Sequence, residues 1–226
     1  MGNFAQAYLE LTKPILFNTL MVQAILKNRK TQTRRVIKFQ NKCVYSIEQI
    51  GENEYEATWG QCGGGMCIDG YEIVKPRYQV GDTLWVRETW QQLPSGFNEM
   101  PPENIYIYKA TDELSDECTR WRPSIFMPKV AARLFLEVLD VRIERLQDIS
   151  EKDVFEEGCR IGKTIKWDDL IPDLRTMNKE LMFIPLWDSI NKKRGYAYEL
   201  NPFVWVYEFK KVGGYKINVK WGDVDG

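Results

Sequence analysis

The chain has 226 residues, 44% hydrophobic and 28% charged, with 31 Lys and Arg set against 32 Asp and Glu. That length buries a real core, and the even charge excludes a general positive field that would hold polyanions without a local site. There is no histidine, which excludes Ser-His-Asp and Cys-His nucleophile activation and the histidine-bearing zinc motifs, and leaves acid-base work to Lys, Glu, Asp, Tyr or Cys.

No stretch approaches the ~18 consecutive apolar residues of a membrane span, and the first residues lack a basic-then-apolar leader. The expected address is the cytoplasm, with no membrane partner. The cysteines, Cys43, Cys62, Cys67, Cys118 and Cys159, are odd in number and read as reduced thiols. Cys62 and Cys67 are too few for a structural zinc without histidine, so no metal and no cofactor are expected.

Residues 1 to 13 read as a lead-in, followed by a short buried strand, Pro14-Ile15-Leu16-Phe17, ending at the helix N-cap Asn18. Met21, Val22, Ile25 and Leu26 lie at helical spacing, and Asn28 sits where a left-handed residue closes a helix. Arg29 to Lys38 reads as a strand. Residues 40–74, with the Gly63-Gly64-Gly65 run, read as an inserted hairpin or loop. Gly81-Asp82 signals a turn into a strand, Leu84 to Trp90, and 91–125 is a second, proline-broken insertion. Arg133 to Ile143 reads as a long strand. Ser150 and Asp153 then mark the start of a helix that Gly158 closes. Residues 160–182 form a third insertion, Phe203 to Phe209 is apolar on both faces like a central strand, and 213–226 is an extra strand or a frayed tail.

The densest polar signal is Asn28-Arg29-Lys30-Thr31-Gln32-Thr33-Arg34-Arg35, with four cations in seven residues. If the segment is extended, Thr31, Thr33 and Arg35 share one face, and Lys30 lies at the turn within reach of that side. A solvated basic edge that resists aggregation is the plain alternative. Arg120, Trp121, Arg122, Lys129 and Arg133 form a second basic and aromatic stretch able to stack a base and hold phosphates, or simply to be solvated around a packed Trp121.

From Asn28 to Arg35 the sequence resembles the ASCH signature, G-x-K-x-x-[ET]-x-R, with Asn28 where the motif has glycine. The resemblance continues through Gly81-Asp82 and the strand of Trp85, the helix from Asp148-Ile149-Ser150 to Glu157-Gly158, and the closing strand Phe203 to Phe209. In layout, including Trp121-Arg122-Pro123-Ser124-Ile125 and Leu186 to Asn191, the chain is similar to longer ASCH-like proteins of phages and prophages. The fold this resemblance implies is α+β, a small mixed β-barrel of PUA-like type flanked by helices. It would be a single domain over 1–226 carrying the three insertions.

By motif position the resemblance implies a site of Lys30, Thr33 and Glu157; Arg29, Arg34, Arg35, Trp85, Arg122 and Lys129 are further candidate ligand contacts read from the residues. The ligand it implies is RNA or a modified nucleoside. One short branch of the family deacetylates N4-acetylcytidine with a Lys, a Thr and a Glu, which raises an amidohydrolase reading: a threonine hydroxyl needs a neighbouring base, and lysine is the natural one here. A non-catalytic RNA-binding module and a phage accessory or morphogenesis factor with protein partners stay open as alternatives.

Overall fold

The computed structural model describes residues 12–40, 44–63, 66–92, 106–112, 120–159 and 179–212, with backbone only for 61–68 and 179–180. The expectations for Cys43, Cys118, the side chains of Cys62 and Cys67, most of the second and third insertions and the tail from 213 lie outside the described residues. Among the described residues the chain is mixed α+β, mostly strands with three α-helices, and its contacts divide it into two compact units. The first unit draws on Met1–Arg29, Asp82–Glu137 and Phe209–Gly226; the second on Lys30–Gly81 and Val138–Glu208.

In the first unit, β1 (Lys13–Leu16) runs parallel to β6 (Thr83–Arg87), with Lys13 opposite Leu84 and Leu16 opposite Arg87. β6 is antiparallel to the start of β9 (Phe135–Arg145) through the pairs Thr83–Glu137, Leu84–Leu136 and Trp85–Phe135. Ile15, Leu84, Val86 and Leu136 are almost wholly buried, the burial of β-branched and large aliphatic side chains that a covered strand requires. α1 (Thr19–Leu26) begins where the Asn18 Oδ1 accepts from the Met21 amide at 2.9 Å, and it buries Val22, Ala24 and Ile25. Asn28 follows in the left-handed region, φ 52°, a conformation that asparagine tolerates better than most side chains. The strand expected from Leu84 to Trp90 stops at Arg87. A short β7 (Trp90–Gln92) then pairs antiparallel with β8 (Tyr106–Tyr108).

In the second unit, β2 (Gln32–Val36) is antiparallel to β10 (Phe203–Val212), pairing Val36 with Val204, Arg34 with Val206, Thr33 with Tyr207 and Gln32 with Glu208. β10 lies between β2 and β9 in hydrogen-bonding order. The first insertion, read as a hairpin or loop, is a three-stranded antiparallel sheet of β3 (Val44–Gly51), β4 (Glu54–Gly63) and β5 (Met66–Val74). Gly70 is required in that sheet: a Cβ there would come within 2.3 Å of the Trp59 ring.

α2 (Glu151–Glu156) carries a full capping box between Ser150 and Asp153 and ends at Gly158, φ 89°. α3 (Ile184–Asn191) continues a π turn over Lys179–Phe183. Leu146, Ile149, Val154, Cys159, Phe183, Trp187, Val204 and Val206 form one core, with Val36 packed against it. Each large apolar side chain so buried contributes about 1.5–3 kcal/mol. Because Val36, Val204 and Val206 face this core, strand alternation puts Gln32, Arg34 and Glu208 on the same face and Thr33, Arg35, Trp205 and Tyr207 on the other. Among the described residues no helix is long and apolar enough to cross a membrane.

Candidate functional site

The N-terminal approach to β2 is pinned to the end of α2. Lys30 forms an isolated antiparallel bridge with Glu157, and the Thr31 amide donates to the Glu156 carbonyl at 2.8 Å. This backbone pairing carries the Lys30 ammonium to Glu157, where Nζ donates to Oε2 at 2.5 Å and to the main-chain carbonyl at 3.0 Å. The Lys30 side chain is 0% exposed and that of Glu157 5%, so the ion pair lies out of water although 127 residues separate its partners.

Arg34 completes the arrangement. Its Nη1 lies 3.3 Å from Glu157 Oε1, and its Nη2 lies 2.9 Å from Glu144 Oε2 and 3.2 Å from Asp153 Oδ2. The Gln32 amide nitrogen donates to Asp153, Glu156 and Glu208. Arg142 pairs with Asp140, Glu144, Asp153 and Glu208. Burial alone would lower the Arg142 pKa, but the hydrogen bonds its guanidinium donates to the Glu144 and Glu208 carboxylates outweigh it and raise the value. Burial would likewise raise the Asp153 pKa, yet Gln32, Arg34, Ser150 and Arg142 together hold it below the ordinary value. Lys30 and Arg34 of the basic run read from the sequence are therefore neutralised by acids from α2 and its end and from β9, and the Arg34 Nε is buried without an acceptor among the described residues.

Thr33 and Arg35 lie on the opposite face of β2. Thr33 is 2% exposed and pairs across the strand with Tyr207. Tyr207 accepts from the Arg77 amide at 3.2 Å and meets Tyr78 edge-on at 5.1 Å; burial pushes its phenol up to about 12. Burial lowers the Arg35 pKa, against the opposing fields of Tyr78, Glu157 and Tyr207. Cys159, next to the pair in sequence, has a thiol that burial and then the Glu157 charge push up to about 12.

The structure thus brings Lys30, Arg34 and Glu157 together and sets Thr33 and Arg35 on the other side of the same strand. Arg29, Trp85, Arg122 and Lys129 belong to the first unit. There the Arg87 guanidinium covers the Trp85 ring at 5.2 Å, Arg122 lies over Trp90 at 5.3 Å, and Lys129 donates to the Thr12 carbonyl at 3.4 Å. Arg133, read with them as a base-and-phosphate stretch, is held at 2.8 and 2.9 Å by both oxygens of buried Glu88 and lies over Tyr108 at 3.9 Å.

The chain matches no family model, no curated protein and no solved structure. Among the described residues no group of three or more Cys, Asp or Glu is arranged to hold a metal ion. Sequence reasoning missed Gln32, Arg142, Glu144 and Glu208, and it read Asp153 only as a helix cap. Strand alternation held the signal, since Gln32 and Glu208 are polar residues at positions facing a core.

Proposed function

We propose that this is an ASCH-type protein, built on a PUA-like barrel, that binds RNA or a modified nucleoside around Lys30, Thr33, Arg35 and Glu157. The observation that carries the reading is the Lys30–Glu157 pair at the motif positions, 2.5 Å from Nζ to Oε2 and out of water. A buried ion pair is weak evidence for stability, because desolvating both charges offsets their attraction. A polar ligand or a reaction gives such a pair a reason that packing does not. On the Thr33 face, Arg35 supplies a charge for phosphate beside the buried rings of Tyr78 and Tyr207.

The same pair favours a reaction. The reaction requires the pair as neutral amine and neutral acid, the tautomer of the ion pair. Once substrate binding brings the Thr33 hydroxyl, which faces the other side of β2, within reach of Lys30, it attacks the acetyl carbonyl of N4-acetylcytidine as Lys30 takes its proton, forming the C–O bond. Glu157 gives its proton to the departing N4 as the C–N bond breaks, which releases cytidine. Water then hydrolyses the acetyl-threonine ester to acetate. The test is to incubate the protein with N4-acetylcytidine and separate the products by chromatography. Cytidine should form with wild type and not with Thr33→Val, which keeps the shape of the strand residue. Absence of cytidine with folded wild type, or equal turnover in the variant, removes the catalytic reading.

A further inference from the structure

A second site stands apart from the Lys30 network within the second unit. Where β2 leaves the sheet and β9 and β10 meet their turns, Ile37, Phe39, Arg145, Arg194, Tyr196 and Phe203 contribute to the lining of a cavity of about 370 Å³. That volume falls in the lower part of the roughly 300–1,000 Å³ range of small-molecule sites. Its walls are aromatic: Phe39 meets Phe203 edge-on, with ring centroids 6.1 Å apart. Its only charged lining residues are the two arginines, and neither pairs with a carboxylate among the described residues.

Both arginines are set by the fold. Arg145 lies 3.6 Å over the Phe203 ring, and its Nη1 donates to the Asn201 carbonyl at 3.1 Å. A guanidinium held flat on a ring in this way keeps other donors for an anion. Arg194 ends the 3-10 turn Lys192–Arg194, which Gly195 closes at φ 85°. The neighbouring Tyr196 is anchored at both backbone groups, its amide to the Asn191 carbonyl at 3.2 Å and its carbonyl to the Trp187 indole at 2.8 Å.

We infer that this cavity binds a nucleobase carrying one phosphate, the ring against the aromatic wall and the phosphate on Arg145 and Arg194. Stacking alone would suit any apolar ring, but two guanidinium groups without counter-charges among the described residues select an anion, and three phosphate oxygens can accept from both. The shared chemistry has two sources, a free mononucleotide or a nucleotide within an RNA strand. The inference does not rest on the Lys30 site, since none of its residues belongs to that network.

The test is calorimetric titration of the full chain with adenosine monophosphate, with adenosine, with inorganic phosphate and with a short oligoadenylate. Saturable binding of the monophosphate is expected, with adenosine and phosphate each weaker by roughly tenfold or more. Arg194→Ala, at an exposed turn, should weaken the monophosphate by a similar factor, and Phe39→Ala should weaken both nucleoside and nucleotide. Tighter binding of the oligoadenylate, lost in the same variants, would assign the site to RNA; equal or weaker binding would assign it to the free nucleotide. No saturable binding of either, equal binding of inorganic phosphate, or binding indifferent to both substitutions overturns the inference. Unchanged nucleotide binding in Lys30→Met separates this site from the one proposed above.

Discussion

Removing Glu157 should cost more than removing the lysine it holds. In Glu157→Ala the Lys30 ammonium, whose side chain is 0% exposed, loses its 2.5 Å carboxylate partner and keeps the carbonyl of residue 157 at 3.0 Å. Arg34 loses its 3.3 Å contact as well, though Glu144 and Asp153 still face it. Taking one partner from a buried ion pair costs about 3–5 kcal/mol. In Lys30→Met the left-over carboxylate still has Arg34, so the cost should be nearer that of one charged hydrogen bond, about 1.5–3 kcal/mol. With a urea m-value of about 2 kcal/mol/M, the midpoint should fall by about 1.5–2.5 M for Glu157→Ala and by about half that for Lys30→Met. The double variant Lys30→Met/Glu157→Leu should lose less than the sum, because neither charge is stranded. Urea unfolding followed by circular dichroism measures all three. A Glu157→Ala loss no larger than that of Lys30→Met would refute the idea that Glu157 is the shared counter-ion of two buried cations.

Three further outcomes follow from the geometry. The Cys159 thiol, raised to about 12 by burial, should resist iodoacetamide at mildly alkaline pH in the native protein and react on unfolding; rapid native labelling of the peptide containing Cys159 would refute its burial. The Asp153 carboxyl has a lowered folded-state pKa, so its stabilisation is present above the ordinary carboxylate value and is lost as pH falls through the folded one. Wild type should therefore lose more stability on acidification than Asp153→Asn, and parallel urea midpoints across that range would contradict the Arg34 and Gln32 contacts. Gly158→Ala forces a side chain into φ 89° and should cost about 1–2 kcal/mol, read as a lower melting temperature; an unchanged one would argue against the left-handed cap.

What the sequence made legible was local. The Asn18 cap, the left-handed Asn28, the Ser150–Asp153 box and the Gly158 stop were all readable because cap chemistry acts within a few residues. The length of β9 and the central place of β10 followed from their apolar runs. The strand expected through Trp90 ends earlier, since Arg87 turns its guanidinium onto the Ile125 and Met127 carbonyls. The first insertion, read as a hairpin or loop, is a sheet in which β4 pairs antiparallel with both β3 and β5. The polar network was less legible. It depends on the end of α2 meeting the approach to β2, and nothing near Lys30 in the sequence signals that Glu144 and Asp153 will pair with Arg34.

The claim that this chain holds a nucleoside or RNA beside Lys30 and Arg35 is tested most directly by titrating it with N4-acetylcytidine and with a short RNA containing that base. Saturable binding of both is the expected result, with binding of the RNA, which carries phosphate, weakening with added salt and falling in Arg35→Gln. A folded protein that takes up neither ligand, or that binds the RNA equally well without the Arg35 charge, would contradict it.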